Sequence, residues 1–89
     1  MARFDVSFQE MPALTAQGGG ADAFFELGLA YCSGRDVEID LIEAHKWFNL
    51  AALRGNREAK HYRSELANEM SRAEIGQAQR RAREWLSLH

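Results

Sequence analysis

Cysteine occurs once in the 89 residues, at position 32, and proline once, at position 12. A lone cysteine excludes a disulfide within the chain, and with it the small cross-linked scaffolds of secreted proteins; it fits a reducing compartment. The near-absence of proline, with Ala, Leu, Glu and Arg in good supply, favours helix. Long apolar runs are lacking too. Met1 to Pro12 shows no basic stretch followed by one, so neither a signal peptide nor a transmembrane segment is expected, and the expected location is cytoplasmic. An excess of positive charge is also missing: the net charge is -2, which argues against a general nucleic-acid binder. The length allows one domain at most, with a modest core and a thin stability margin.

Charge is unevenly spread. Residues 1–45 carry eight acids and two bases, residues 46–89 five acids and nine bases, so the halves hold about -6 and +4. Such a chain can associate head to tail or present each half to a different partner, although solvated helix faces of unequal composition account for the same numbers.

Hydrophobic periodicity predicts four helices after an N-terminal arm. In residues 3–8 Phe4, Val6 and Phe8 alternate with polar residues, the period of a strand with no partner in the chain, so this segment is expected to be an extended arm lying on the helices or pairing with a second copy. Pro12 ends the arm or opens a short turn over 12–17, and Gly18 to Gly20 form a flexible break. The first helix is expected from Ala21 to Cys32, with Ala23, Leu27, Ala30 and Tyr31 at helical spacing and Phe24 beside them; Ser33-Gly34 stops it. Asp40 caps a second helix, and Glu43 makes a capping-box-like pair with it. That helix runs to Arg54 with the stripe Leu41, Ala44, Phe48 and Ala51, and Gly55 ends it. Asn56 caps a third, whose stripe is Ala59, Tyr62, Leu66, Ala67 and Met70. Ser71 and Glu74 form the capping box of a fourth, with Ile75, Ala78, Ala82, Trp85 and Leu86 on one side. Four helices with short joints are expected to pack as two antiparallel hairpins.

Two frames recur. Gly19 to Ala23 and Gly55 to Ala59 share Gly-x-x-x-Ala, 36 residues apart; Ala44-x-x-Trp47 and Ala82-x-x-Trp85 lie 38 apart. Within the first copy, residues 21–59, the positions Ala21, Ala23, Leu27, Gly28, Tyr31, Gly34, Val37, Asp40, Ala44, Trp47, Ala51, Ala52, Gly55 and Ala59 fit one pattern. This stretch closely resembles a Sel1-like repeat. Residues 60–88 look like the degenerate closing helix pair of such proteins, without a Leu-Gly-x-x-Tyr or a Gly-x-x-Val loop. The residue chemistry agrees with a stacked hairpin. Gly28 in mid-helix costs about 0.5–1 kcal/mol relative to Ala, a cost that makes sense where another helix crosses closely. Ala44, Ala51 and Ala52 thin the second helix for that contact, Tyr31 and Trp47 fill the space around it, and Gly34 and Gly55 turn the chain. The implied fold is all-α: two helical hairpins stacked as a short α-solenoid over 21–89, split at 55/56, with residues 1–20 as arm and linker. Phe24 departs from the family pattern, which has a small or polar residue there. Phe24-Phe25 puts rings on neighbouring faces, to be covered by core, arm or partner.

Cys32 and His45 lack an orienting acid, so a structural thiol is expected. Glu58, His61 and Glu65 share a face with Glu-x-x-His spacing, but no second such motif exists, and a solvated face is expected instead of a metal site. The glycine run lacks the Lys-Ser/Thr of a phosphate loop. Arg80, Arg81 and Arg83 read as a solvated helix face near a C-terminus rather than a nucleic-acid patch. No catalytic residue, cofactor or metal is expected. The resemblance implies a module that holds an unidentified protein or peptide on a concave face built from the first helix of each pair: Phe24, Glu26 and Leu29, with Lys60, Arg63 and Ser64 beside them. Because stacked repeats need about three units and this chain has fewer than two good ones, a homodimer is also expected. The alternatives are a self-associating assembly subunit and, more remotely, a small metal- or thiol-dependent enzyme.

Overall fold

The computed structural model describes residues 20–89, which form helices α1 (Gly20–Ser33), α2 (Leu41–Leu53), α3 (Arg57–Ala67) and α4 (Arg72–Leu88) and, among themselves, no strand. The expected arm at 3–8, the turn over 12–17 and the first two glycines of the run lie outside the described residues. Gly20, expected in the linker, is instead the buried first residue of α1. No helix among the described residues is long and apolar enough to cross a membrane.

Each boundary has a local cause. α1 and α2 end on glycines with positive φ, Gly34 at 80° and Gly55 at 104°. At both, the amide of the residue after the glycine reaches back: Arg35 N donates to Ala30 O at 3.0 Å, and Asn56 N to Ala51 O, also at 3.0 Å. This satisfies carbonyls that the helix leaves open, and only glycine takes the left-handed turn without strain. Asp40 Oδ1 accepts from Glu43 N (3.1 Å) and Asn56 Oδ1 from Ala59 N (2.8 Å). Ser71 and Glu74 close both halves of their capping box, at 3.1 and 2.8 Å. The Asp40–Glu43 box forms by half only. The Asp40 amide donates to Tyr31 O (3.0 Å), and the Glu43 carboxylate turns towards other partners.

Helix α2 is central and packs on α1, α3 and α4. One apolar stripe was expected on it, yet His45 and Leu50 are buried along with Ala44, Phe48 and Ala51, because helices cover more than one side. Gly28 explains the α1–α2 crossing. A Cβ there would strike the ring of Phe48, which is 1 % exposed. The close approach expected at Gly28 is therefore to a ring rather than to the thin alanine face.

Two aromatic groups flank this contact. Phe24 lies 5.4 Å from Trp47 and 5.1 Å from Trp85, and the two tryptophans are 5.9 Å apart. Phe25 lies 5.8 Å from Phe48 and 5.2 Å from Tyr62. Tilted and edge-on ring pairs of this kind contribute about 0.5–1.5 kcal/mol each beyond area burial.

The recurring sequence frames meet in space. Glu43 Oε2 accepts from Arg81 Nη1 at 2.8 Å, and Trp47 meets Trp85 one turn further along both helices. α2 and α4 therefore run side by side in the same direction. Likewise Asp22 Oδ1 accepts from Asn56 Nδ2 (3.2 Å) and Phe25 meets Tyr62, which ties α1 to the start and middle of α3.

Candidate functional site

Where α3 and α4 approach the second flank of α2, they leave a half-open cleft of about 340 Å³. Its walls are His45 and Asn49 from α2, Arg63, Ser64 and Ala67 from α3, and Ile75 and Gln79 from α4. On α2 and α4 the lining residues are one turn apart, so each helix turns a single edge to the cleft. The volume is at the small end of the range for ligand pockets, about 300–1,000 Å³.

Arg63 is held in place: its Nη1 donates to Asn49 Oδ1 at 2.5 Å, a bond from α3 to α2. Its partner is a neutral amide, and among the described residues no carboxylate lines the cleft. Among the described residues Arg63 makes no ion pair. His45 is 3 % exposed, and its Nδ1 is buried without a hydrogen-bond partner. Burial, helped by the Arg63 charge, holds its pKa below the ordinary value, so the ring is neutral near pH 7. A buried polar atom left unpaired costs about 1–3 kcal/mol and calls for an explanation in the site around it. Ala67 and Ile75 supply the apolar part of the wall.

Neither a family model, a curated protein nor a solved structure matches the chain.

Of the six residues expected to face a partner, two meet in this cleft, Arg63 and Ser64. Lys60 is exposed elsewhere on α3, and Glu26 is exposed and paired with Arg35 at 3.2 Å. Leu29 is half-buried at the edge of the core. Phe24 is 1 % exposed beneath Trp47 and Trp85, with the Arg54 guanidinium 5.6 Å from its ring centre, so it is core and has no open face for a partner. Phe25 is buried as well. His45, Asn49 and Gln79 were not singled out as partner-facing. His45 and Asn49 stand one turn apart beside the apolar stripe of α2, on the side that α3 and α4 cover.

The remaining candidates are separate from the cleft. Cys32 is half-buried, and burial together with the Glu69 carboxylate raises its thiol pKa, the reverse of what activates a nucleophile. Glu58, His61 and Glu65 are all exposed, and no group of three His, Cys, Asp or Glu among the described residues is arranged to hold a metal ion. Of the three C-terminal arginines, Arg80 and Arg83 are exposed and Arg81 is committed to Glu43. Glu43 is the polar centre of the other side of α2. Its Oε1 accepts from Trp47 Nε1 (3.2 Å) and pairs with Lys46 Nζ (3.1 Å), while Oε2 takes Arg81.

Proposed function

We propose that the chain is a non-catalytic protein-interaction module: a short Sel1-like scaffold of two stacked helical hairpins that receives a protein or peptide in the α2–α3–α4 cleft. The observation that carries this reading is the cleft itself, with a clamped guanidinium, a buried neutral imidazole lacking a partner, and, among the described residues, no carboxylate to balance the guanidinium. The repeat part is supported by the translation relating α2 to α4. Glu43 and Trp47 meet Arg81 and Trp85 at the same offset of 38 residues that separates the two Ala-x-x-Trp frames. Such side-by-side repetition is how repeat proteins build a continuous core and a recognition surface. The lone half-buried thiol suits a cytoplasmic setting.

The test is selection of a random peptide library on the immobilised chain, followed by addition of the enriched peptides to the isotope-labelled protein. The expected outcome is one family of sequences that moves the amide signals of His45, Asn49, Arg63 and Gln79. No enrichment over the heat-unfolded chain would remove the reading.

A second reading, a self-associating subunit, is favoured by Leu53 and Leu88, which remain 62 % and 80 % exposed at the ends of α2 and α4. Light scattering separates the two: a doubled mass that Leu53→Lys or Leu88→Lys returns to monomer supports self-association, and a monomer at all concentrations rules it out.

A further inference from the structure

Resting on the interaction-module reading, we infer that the α2–α3–α4 cleft recognises an acidic side chain of its peptide partner, with Arg63 as the cation that meets the carboxylate. The donors come from all three helices: the Arg63 guanidinium, the Ser64 hydroxyl, the Gln79 amide and the His45 ring all line the same 340 Å³. The Asn49 bond occupies one of the five N–H groups of Arg63 and fixes the plane of the others, so little side-chain freedom remains to be lost on binding. A guanidinium held this way pairs with a carboxylate through two parallel hydrogen bonds, which a lysine cannot reproduce.

Charge sets the ligand class. Among the described residues the lining carries one positive group and no negative one, and His45 is buried and neutral, so the cleft balances a single negative charge. That is a carboxylate; a phosphate carries nearly two charges at neutral pH and would leave one uncompensated. Apart from His45, every lining residue comes from the basic half of the chain, whose surplus steers acidic segments towards it. Ala67 and Ile75 offer apolar wall to the methylenes of an acidic side chain. His45 adds an observation independent of charge: the residue lines the cleft, and its Nδ1 is buried without a hydrogen-bond partner among the described residues.

The experiment titrates the isotope-labelled full chain with three short peptides: an acetylated, amidated alanine peptide with one central glutamate, the same peptide with glutamine in its place, and an all-alanine peptide with a free C-terminus. The expected result is saturable movement of the Arg63 side-chain Nε–H and His45 ring signals with the glutamate peptide, at least about ten-fold weaker with glutamine. Arg63→Gln should lose the difference. Gln79 is exposed, so Gln79→Glu keeps the fold and places a competing carboxylate in the cleft, again with at least about ten-fold weakening. Equal movement by the glutamate and glutamine peptides, tight binding by Gln79→Glu, or a response to the free C-terminus alone would each overturn the inference. Library peptides that occupy the cleft without an acidic residue would overturn it while leaving the interaction module standing; an empty library selection removes both.

Discussion

The two flanks of α2 are built on opposite terms. On one, Phe48 sits in the notch left by Gly28, with Ala44 and Ala51 fully buried beside it and Phe25 and Tyr62 against the ring. On the other, His45 and Asn49 face α3 and α4 across a polar cleft. The first flank gains from close packing at native density, where a single added or removed carbon is felt. The second gives up packing and leaves a ring nitrogen unpaired. The contrast separates stabilising from recognising surface along one helix: the flank that tolerates a void and an unsatisfied atom is the one free to take a ligand.

The contrast is tested most severely at Phe48. Phe48→Ala empties the centre of the packed flank and is expected to cost about 3–5 kcal/mol, a large part of the stability of a domain of this size; urea denaturation followed by circular dichroism reads it as a much lower midpoint or as loss of the folded baseline. Truncation on the cleft flank, as in Gln79→Ala, should cost within about 0.5 kcal/mol by the same assay. Equal losses would erase the distinction between the flanks.

Gly28→Ala comes next. Alanine is the better helix former by about 1 kcal/mol, but its Cβ meets the Phe48 ring, and overpacking of this kind costs about 1–3 kcal/mol. A net loss of stability is expected, and it should shrink or change sign in the Phe48→Leu background. A stabilised Gly28→Ala in the native background would show that the notch is not needed.

A smaller effect concerns the link between α2 and α4. Glu43→Gln removes the ion pairs to Arg81 and Lys46 while leaving a group able to accept from Trp47. Because the Arg81 side chain is 41 % exposed, about 1 kcal/mol is expected, reduced further in high salt. An unchanged midpoint at low salt would assign the α2–α4 register to the tryptophans alone.

The mildest change near neutrality is in pH dependence. The folded His45 resists protonation more than the unfolded chain does, so the unfolded state takes up the proton first. This contribution is intact above the ordinary histidine value of 6.5, and stability is lost as pH falls from there towards the lower folded-state value. His45→Leu should flatten that part of the stability–pH profile. A slope identical to that of the native chain would mean that the buried ring does not carry it.

Much of the helical architecture was legible in the residues. The cap signals at Asp40, Asn56 and Ser71 and the terminators Gly34 and Gly55 act over a few positions of chain, so their effect is readable without knowing what packs where. The reciprocal half of the Asp40–Glu43 box was not, because a long-range partner, Arg81, competes for the carboxylate. Phe24 illustrates the same limit. Its sequence neighbours allow core, arm or partner, and the choice depends on Trp85, 61 positions away, closing over it at 5.1 Å. Within the cleft, Arg63 and Ser64 were expected to face a partner, whereas His45 was weighed only beside Cys32 and Asn49 not at all, since an exposed polar pair and a buried one have the same spacing.

The sequence by itself determined the caps and terminators that bound the helices, the central residues of their apolar stripes, and that two frames repeat at nearly constant spacing; hydrogen bonding within a turn and side-chain periodicity are properties of neighbouring residues. Only the tertiary structure decided that α2 is covered on both flanks, that Phe48 fills the place of the missing Gly28 side chain, and that His45 is enclosed without a partner beside a clamped Arg63. Those outcomes depend on how three helices share one, and contact energies between residues tens of positions apart are set by that shared geometry and not by local spacing.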